Sequence, residues 1–361
     1  MNNKRCVFIT EANLAHDGRT MELIDVVNNV CATTVVCFES DYNIIGDNFV
    51  EVKKASGFLR RIRSSARLTK AASRLPCDIL FVDNSKACVD AYLLLLKYNN
   101  KPVVLDTREL YLKGEKRSRL MKIICCFERK IIKRADFIIA ANESRASYMK
   151  EYYKLANKPA VFENIRKITD NPQQINDLDK FIQKSDKVLS YTGGLIKDRE
   201  LPILSALQNL KPEYKLVIAG RGTNEEYTAF KTALEKNGVS DRVLYLGELN
   251  RGQLRYLIQN SYIGFVYYEG KNMNEKYCAS GKIYEYMFEG IPFASPMLES
   301  HVDLEKKYHV CACNDDLSVA VTCIDNDYQH YKENVSLYMK NISEEINRNK
   351  LIQSLKQFVY H

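Results

Sequence analysis

Long apolar runs are missing from this sequence. The longest lies near Ala91–Leu96 and is far too short to span a bilayer. The apolar part of the N-terminal MNNKRCVFIT is too short for a secretion signal, so the chain is expected in the cytoplasm. Paired cysteine motifs are missing as well. The eleven Cys sit mostly in apolar runs, Cys6, Cys37, Cys77, Cys125 and Cys126 among them. There is no CxxC, and Cys311-Ala312-Cys313 has no partner pair at zinc-finger spacing. An odd number in apolar settings favours reduced, structural thiols. The sequence also lacks GxGxxG, GK[ST], HExxH and GxSxG. Dinucleotide loops, P-loops, zinc proteases and serine hydrolases therefore find no support.

What is present is a globular composition. The 361 residues are 46% hydrophobic and 27% charged, too long for one ordinary core. Net charge is +8 and uneven: residues 1–180 carry 31 Lys/Arg against 22 Asp/Glu, and the remainder 22 against 23. A basic first half joined to a near-neutral second half implies different partners for the two. In the first half, strand-like runs (Lys4–Thr10, Thr33–Phe38, Cys77–Asp83, Pro102–Asp106, Asp136–Ala141) alternate with amphipathic helical stretches. A polar connection over Arg166–Lys187 follows, and then the alternation restarts at Val188. Continuous apolar strands between helices mean parallel sheets covered on both faces. The expected fold is α/β, with two tandem doubly wound Rossmann-like domains facing each other across a cleft. Their expected bounds are 1–165, a linker over 166–187, and 188–344, with a helix at about 345–361 packing back on the first domain. Ligands of such sheets sit outside the carboxyl ends of the strands.

Three features fall at such ends in the second half. Ser190–Leu195 (SYTGGL) takes a strand into Gly193-Gly194, with Arg199 just beyond. Gly220-Arg221-Gly222 follows the next strand. The stretch CASGKIYEYMFEGIPFAS, residues 278–295, reads as a helix opened by Ser280 and Gly281 and stopped at Gly290 and Pro292. Lys282 and Glu285 share one of its faces, and Ile283 and Met287 another. Backbone N–H groups at that N-terminus, beside a Lys, suit a phosphate, and a Glu nearby suits sugar hydroxyls. Each feature alone reads first as an ordinary turn or a surface ion pair. Together they point to a nucleotide-phosphate site.

In this order the motifs resemble the family 4 glycosyltransferases, retaining enzymes of the GT-B fold. The resemblance runs through HDGRTMELIDVV, LDTREL and FERKIIKRADFIIAANES, then YTGGL, LVIAGRG, VLYLGEL and YCASGKIYEYMFEGIP, over most of residues 1–300. It implies a nucleotide-sugar donor, most simply UDP-linked, held in the second domain. Glu285 would bond the ribose and Lys282 would lie by the diphosphate, with Gly193, Gly194, Arg199, Arg221, Tyr277, Ser280 and Gly281 around them. Tyr277 stands where many members have a second Glu, and Gly194 and Arg199 stand at the usual Arg and Lys. Asp17, Arg108 and Glu109 at strand ends of the first domain join Lys282 as catalytic candidates; helix capping and salt bridging would explain Asp17 and Arg108 equally. Metal-dependent transferases use DxD, which occurs at Asp177-Leu178-Asp179 and Asp325-Asn326-Asp327. A pattern this short arises by chance, and no metal or other cofactor is expected.

The acceptor side is basic. Arg60, Arg63, Arg67, Lys70 and Arg74 recur at helical spacing beside an apolar stripe of Leu59, Ile62 and Ala66. A second basic run spans Lys113–Arg134. With Arg19, these suit an anionic membrane or a lipid-linked oligosaccharide acceptor, and suit a merely solvated face as well. No aromatic-rich reading surface accompanies the charge, so nucleic acid is not expected. The reading is a retaining, metal-independent transferase in surface polysaccharide synthesis, at the inner face of the cell membrane. A nucleotide-sugar epimerase on the same scaffold and a silent UDP-sugar-binding protein are the alternatives.

Overall fold

The computed structural model describes residues 4–39, 48–56, 59–112, 114–115, 118–195 and 200–360. The chain divides into two compact units, residues 1–164 with 345–361, and residues 165–344.

The first unit runs β1 (Arg5–Thr10), α1 (Gly18–Asn28), β2 (Ala32–Phe38), β3 (Phe49–Val52), α2 (Arg60–Ala72), β4 (Ile79–Asp83), α3 (Asn84–Leu94) and β5 (Val103–Thr107). It continues with α4 (Arg119–Arg134), β6 (Phe137–Ala140), α5 (Glu143–Tyr153) and β7 (Ala160–Val161). Its seven strands are all parallel, in the order β3-β2-β1-β4-β5-β6-β7. β4 and β5 are buried along their whole length, which is why they read as unbroken apolar runs.

The second unit holds α6 (Asn176–Phe181), β8 (Lys187–Thr192), α7 (Glu200–Asn209), β9 (Tyr214–Ala219), α8 (Asn224–Asn237), β10 (Val243–Tyr245), α9 (Arg251–Gln259) and β11 (Ile263–Phe265). It goes on with α10 (Met273–Lys276), α11 (Gly281–Phe288), β12 (Phe293–Ser295), α12 (Glu299–Tyr308), β13 (Cys311–Cys313), α13 (Leu317–Asn326) and α14 (Tyr328–Lys340). Its parallel sheet is ordered β10-β9-β8-β11-β12-β13. Both sheets are doubly wound, and the strand order reverses between β1 and β4 and between β8 and β11. Those are the points where such sheets open a crevice at their carboxyl ends.

Two expectations change. The segment 166–187 is no free linker, because it packs into the second unit. Ile175 and Leu178 are buried with Val188, Val217, Ala219 and Leu257, and Arg251 pairs with Asp170 at 3.0 Å. Cys126, placed in an apolar run, is exposed; all eleven Cys are free thiols, and only Cys126 and Cys323 are exposed. The last helix, α15 (Glu344–Tyr360), buries Leu351 and Leu355 against α1 residues such as Leu23 and Val27 in the first unit. Among the described residues no helix is long and apolar enough to cross a membrane.

Candidate functional site

At the carboxyl end of β8 the chain turns through Gly193-Gly194, and this turn lies directly on the one after β9. Gly193 N–H donates to Ala219 O and Leu195 N–H to Arg221 O, both at 2.8 Å. A Cβ on Gly194 would stand 2.9 Å from Arg221 O, and one on Gly220, whose φ is +156°, would run into Gly193 O. These glycines are therefore required by the contact of two backbones. The same contact leaves no room for a side chain at 194 on this backbone. Arg221 is exposed and pairs with Glu248 at 2.6 Å.

α11 points its N-terminus into this region. Ser280 caps it, its Oγ accepting from Lys282 N–H at 3.4 Å and from the Tyr268 hydroxyl at 3.2 Å. Ile283 and Met287 are buried with Val266 and Phe293. Tyr286 locks the helix to the sheet: its hydroxyl donates to Ser190 O at 2.9 Å. Its ring lies over Gly264, where a Cβ would be 2.6 Å away. The helix stops at Gly290, with φ +74°.

This framework aims Lys282 at Gly193. Its Nζ occupies the place a Cβ on Gly193 would take, 5.2 Å from the Tyr191 ring centroid. Glu285, one turn on, is partly buried, and burial pushes its carboxyl up while Arg166, Arg251 and Lys282 pull it down. Arg166 crosses Gly281, where a Cβ would be 2.8 Å from its Cδ. The charges of three cations thus act on one carboxylate near a helix N-terminus, a setting for an anion with hydroxyls beside it. Arg166 and Arg251 were missed in sequence because one sits in a polar segment resembling a linker and the other opens an ordinary helix. Tyr277 ends the short α10 and is partly buried. Arg199 lies outside the described residues.

In the first unit the candidates form an ionic network at the carboxyl ends of β1, β4 and β5. Asp17 caps α1, accepting from Thr20 N–H at 3.1 Å, and pairs with Arg108. Arg108 also reaches Thr20 Oγ1 and, at 3.3 Å, Asp83. Asp83 is buried, and burial raises its carboxyl to about 6 against the pull of Arg108. Asp17 is shifted the other way, because burial, the largest single influence, is outweighed by the Arg108 charge and hydrogen bonds together. Glu109 is partly buried. Arg19 is corrected. It is no surface residue, being buried with Asp106 at 2.9 Å and donating to Phe162 O at 2.7 Å, so a membrane or acceptor cannot meet it. Arg60, Arg63, Arg67, Lys70 and Arg74 are all exposed; Lys113, Lys116 and Arg117 of the second basic run lie outside the described residues.

Of the DxD carboxylates, Asp325 accepts from Lys187 at 2.7 Å and from the Tyr262 hydroxyl at 2.6 Å. Asp179 accepts from the Tyr256 hydroxyl at 2.8 Å. Among the described residues no group of three or more His, Cys, Asp or Glu could hold a metal ion.

No protein-family profile matches the chain, and no curated protein matches it in sequence. Solved structures do match. Anabaena HepE in complex with UDP and glucose is similar at a TM-score of 0.70 and 15% identity, over 98% of this chain and 100% of that one. Sucrose-phosphate synthase from Thermosynechococcus elongatus is similar at 0.71 and 12%, over 98% and 99%. A proposed UDP-N-acetylglucosamine 2-epimerase from Listeria monocytogenes is similar at 0.64 and 11%, over 99% and 96%. At these identities the likeness establishes the fold: the chain has the two Rossmann-like units of the GT-B architecture.

Proposed function

We propose that the protein is a retaining glycosyltransferase that takes a sugar from a nucleotide diphosphate, most simply UDP, to a glycan acceptor without a metal. The observation that carries this reading is the reach of Lys282 from the first turn of α11 to Gly193 at the end of β8, with Glu285 one turn behind it. HepE, which shares the fold, was solved with UDP and glucose and with UDP-glucose. In the transfer the bond from the anomeric carbon to the diphosphate breaks, and an acceptor oxygen replaces it on the same face of the sugar. The departing diphosphate gains charge. Lys282, Arg166 and the N–H groups of α11 would hold that charge, and preorganised donors are worth most there. Glu285 would accept from the ribose hydroxyls.

A lipid-linked acceptor in surface polysaccharide synthesis, met at the cytoplasmic face of the membrane, agrees with the basic first unit. The Listeria neighbour keeps a nucleotide-sugar epimerase as the second reading, and product analysis separates the two.

The test is calorimetry of UDP and a panel of UDP-sugars without added metal, on the wild type and Glu285→Ala. The expected result is UDP binding that Glu285→Ala weakens by more than tenfold, ~1.4 kcal/mol. No nucleotide binding, or equal binding by the variant, would sink the assignment. Binding without turnover on any acceptor would instead indicate a UDP-sugar-binding protein.

A further inference from the structure

The connections β3–α2–β4, β4–α3–β5 and β5–α4–β6 all step the same way across the first sheet. Right-handed crossovers therefore put α2, α3 and α4 on one face, with α3 packed between the other two. On this face some polar side chains turn inward beside the apolar ones, and several aliphatic side chains turn outward. α2 turns Ser64, Ser65, Leu68 and Ala72 inward. Ser65 and Thr69 donate to the buried Asp90 of α3, and Ser64 Oγ accepts from Ala55 N–H at 2.9 Å. Outward, Leu59 at its cap is 49% exposed and Ile62 is 65% exposed. α4 buries Glu128 together with Ile124, Ile131 and Ile132, while Leu120 and Ile123 stand in solvent. Apart from Ile346, every exposed Leu or Ile among the described residues of this unit lies on these helices or next to their ends.

The charges follow the same pattern. Asp90 and Glu128 are the only acids on the three helices, and both are buried. Arg63, Arg67, Lys70, Lys122, Lys130 and Lys133 are exposed. The face thus presents aliphatic side chains among cations with no exposed carboxylate on the helices. Water is a poor partner for the first, and neither a neutral surface nor a bare polyanion satisfies both.

We infer that the α2–α4 face docks on an anionic lipid bilayer, the cations meeting headgroups and Leu59, Ile62, Leu120 and Ile123 entering the interface. Cations near such a surface and apolar side chains in the headgroup boundary act together. A nucleic acid would satisfy the cations and leave the aliphatic side chains without a partner. The inference deepens the transferase reading, which supplies the membrane-held acceptor, but its test uses lipid alone.

The full chain is floated with vesicles of phosphatidylcholine and with vesicles containing about 30% phosphatidylglycerol. Two variants are compared, Arg63→Glu/Arg67→Glu/Lys122→Glu and Ile62→Ser/Ile123→Ser, with circular dichroism and UDP calorimetry as controls of fold and of the second unit. The wild type should float with the anionic vesicles only. Charge reversal should cut the bound fraction by more than tenfold, and the serine variant should be released at lower salt than the wild type. The inference is overturned if the wild type stays unbound, floats equally with neutral vesicles, or matches the charge-reversed variant. It is also overturned if a single-stranded oligonucleotide binds more tightly than lipid and the same charge reversal abolishes that binding. UDP calorimetry reports on the transferase reading separately, so either idea can fail while the other stands.

Discussion

At the scale of single residues, the site turns on what a glycine leaves open. Lys282 Nζ sits where a Gly193 side chain would be, so Gly193→Ala must displace the ammonium or the Tyr191 ring, whose Cζ is 3.2 Å from the new Cβ. The ring is buried and the Lys tip is flexible, so the Lys moves. We expect Gly193→Ala to weaken UDP binding by about tenfold with little change in Tm, and to add nothing in a Lys282→Ala background. A calorimetric double-mutant cycle checks this; equal losses in both backgrounds would mean that the two residues act independently. Lys282 and Glu285 were legible because the cap, the stop and the spacing of an eight-residue helix are local signals. Arg166 was not, since its place across Gly281 depends on a chain path that no local pattern encodes. The turn glycines at 194 and 220 were visible in sequence, but not the reason for them: two turns touching is a tertiary fact.

At the scale of elements, periodicity identifies a stripe on a helix without saying which stripe faces the sheet. In α2 the charged and apolar spacing was plain, yet Leu59 and Ile62 of the apolar stripe lie outside while Ser64 and Ser65 turn inward with Leu68 and Ala72; in α4 the inward face holds Ile124, Ile131 and Ile132 with Glu128 among them. This has a titratable consequence in α4. Glu128 is buried, its Oε2 has no hydrogen-bond partner among the described residues, and burial together with the nearby Glu109 raises its carboxyl to about 8. The unfolded chain releases that proton near pH ~4.3. Between the two values the folded form binds a proton that the unfolded form does not, so this group's contribution to stability falls as pH rises and levels off once the folded value is passed. Glu128→Gln keeps the shape and cannot ionise. The Tm of the variant relative to wild type should therefore climb from about pH 6 to about pH 9 and then level off. Melting curves across that range decide it, and a constant difference would show that Glu128 is ionised throughout. The same limit of local reading applies to 166–187, where a polar composition concealed Ile175 and Leu178, which with Phe181 and Ile182 seat α6 in the second unit.

For the whole molecule, alternating strand and helix signals made two parallel sheets legible, because each βα step is local. Strand order is not a local property, whereas the return of a helix at about 345–361 to the first domain was an expectation from the sequence. The first sheet's last strand ends at Val161 and α15 begins only at Glu344, with the whole second unit between them, yet α15 completes the core of the first. Leu351 and Leu355 are each nearly inaccessible there. Asn347 exchanges bonds with the backbone of Glu163 at 3.1 and 3.0 Å, and the Tyr360 hydroxyl donates to Val30 O at 2.8 Å. Leu351→Ala should accordingly cost the first unit about 2–5 kcal/mol, the range for a buried Leu that leaves a cavity. The second unit contains none of these contacts, so the loss should be confined to one unit. Proteolysis during a urea titration can resolve this: cleavage within residues 1–164 should begin at lower urea in Leu351→Ala, while residues 165–344 resist to the same concentration as in the wild type. If both halves become sensitive together, the two units unfold as one cooperative body; if neither changes, α15 does not support the first unit.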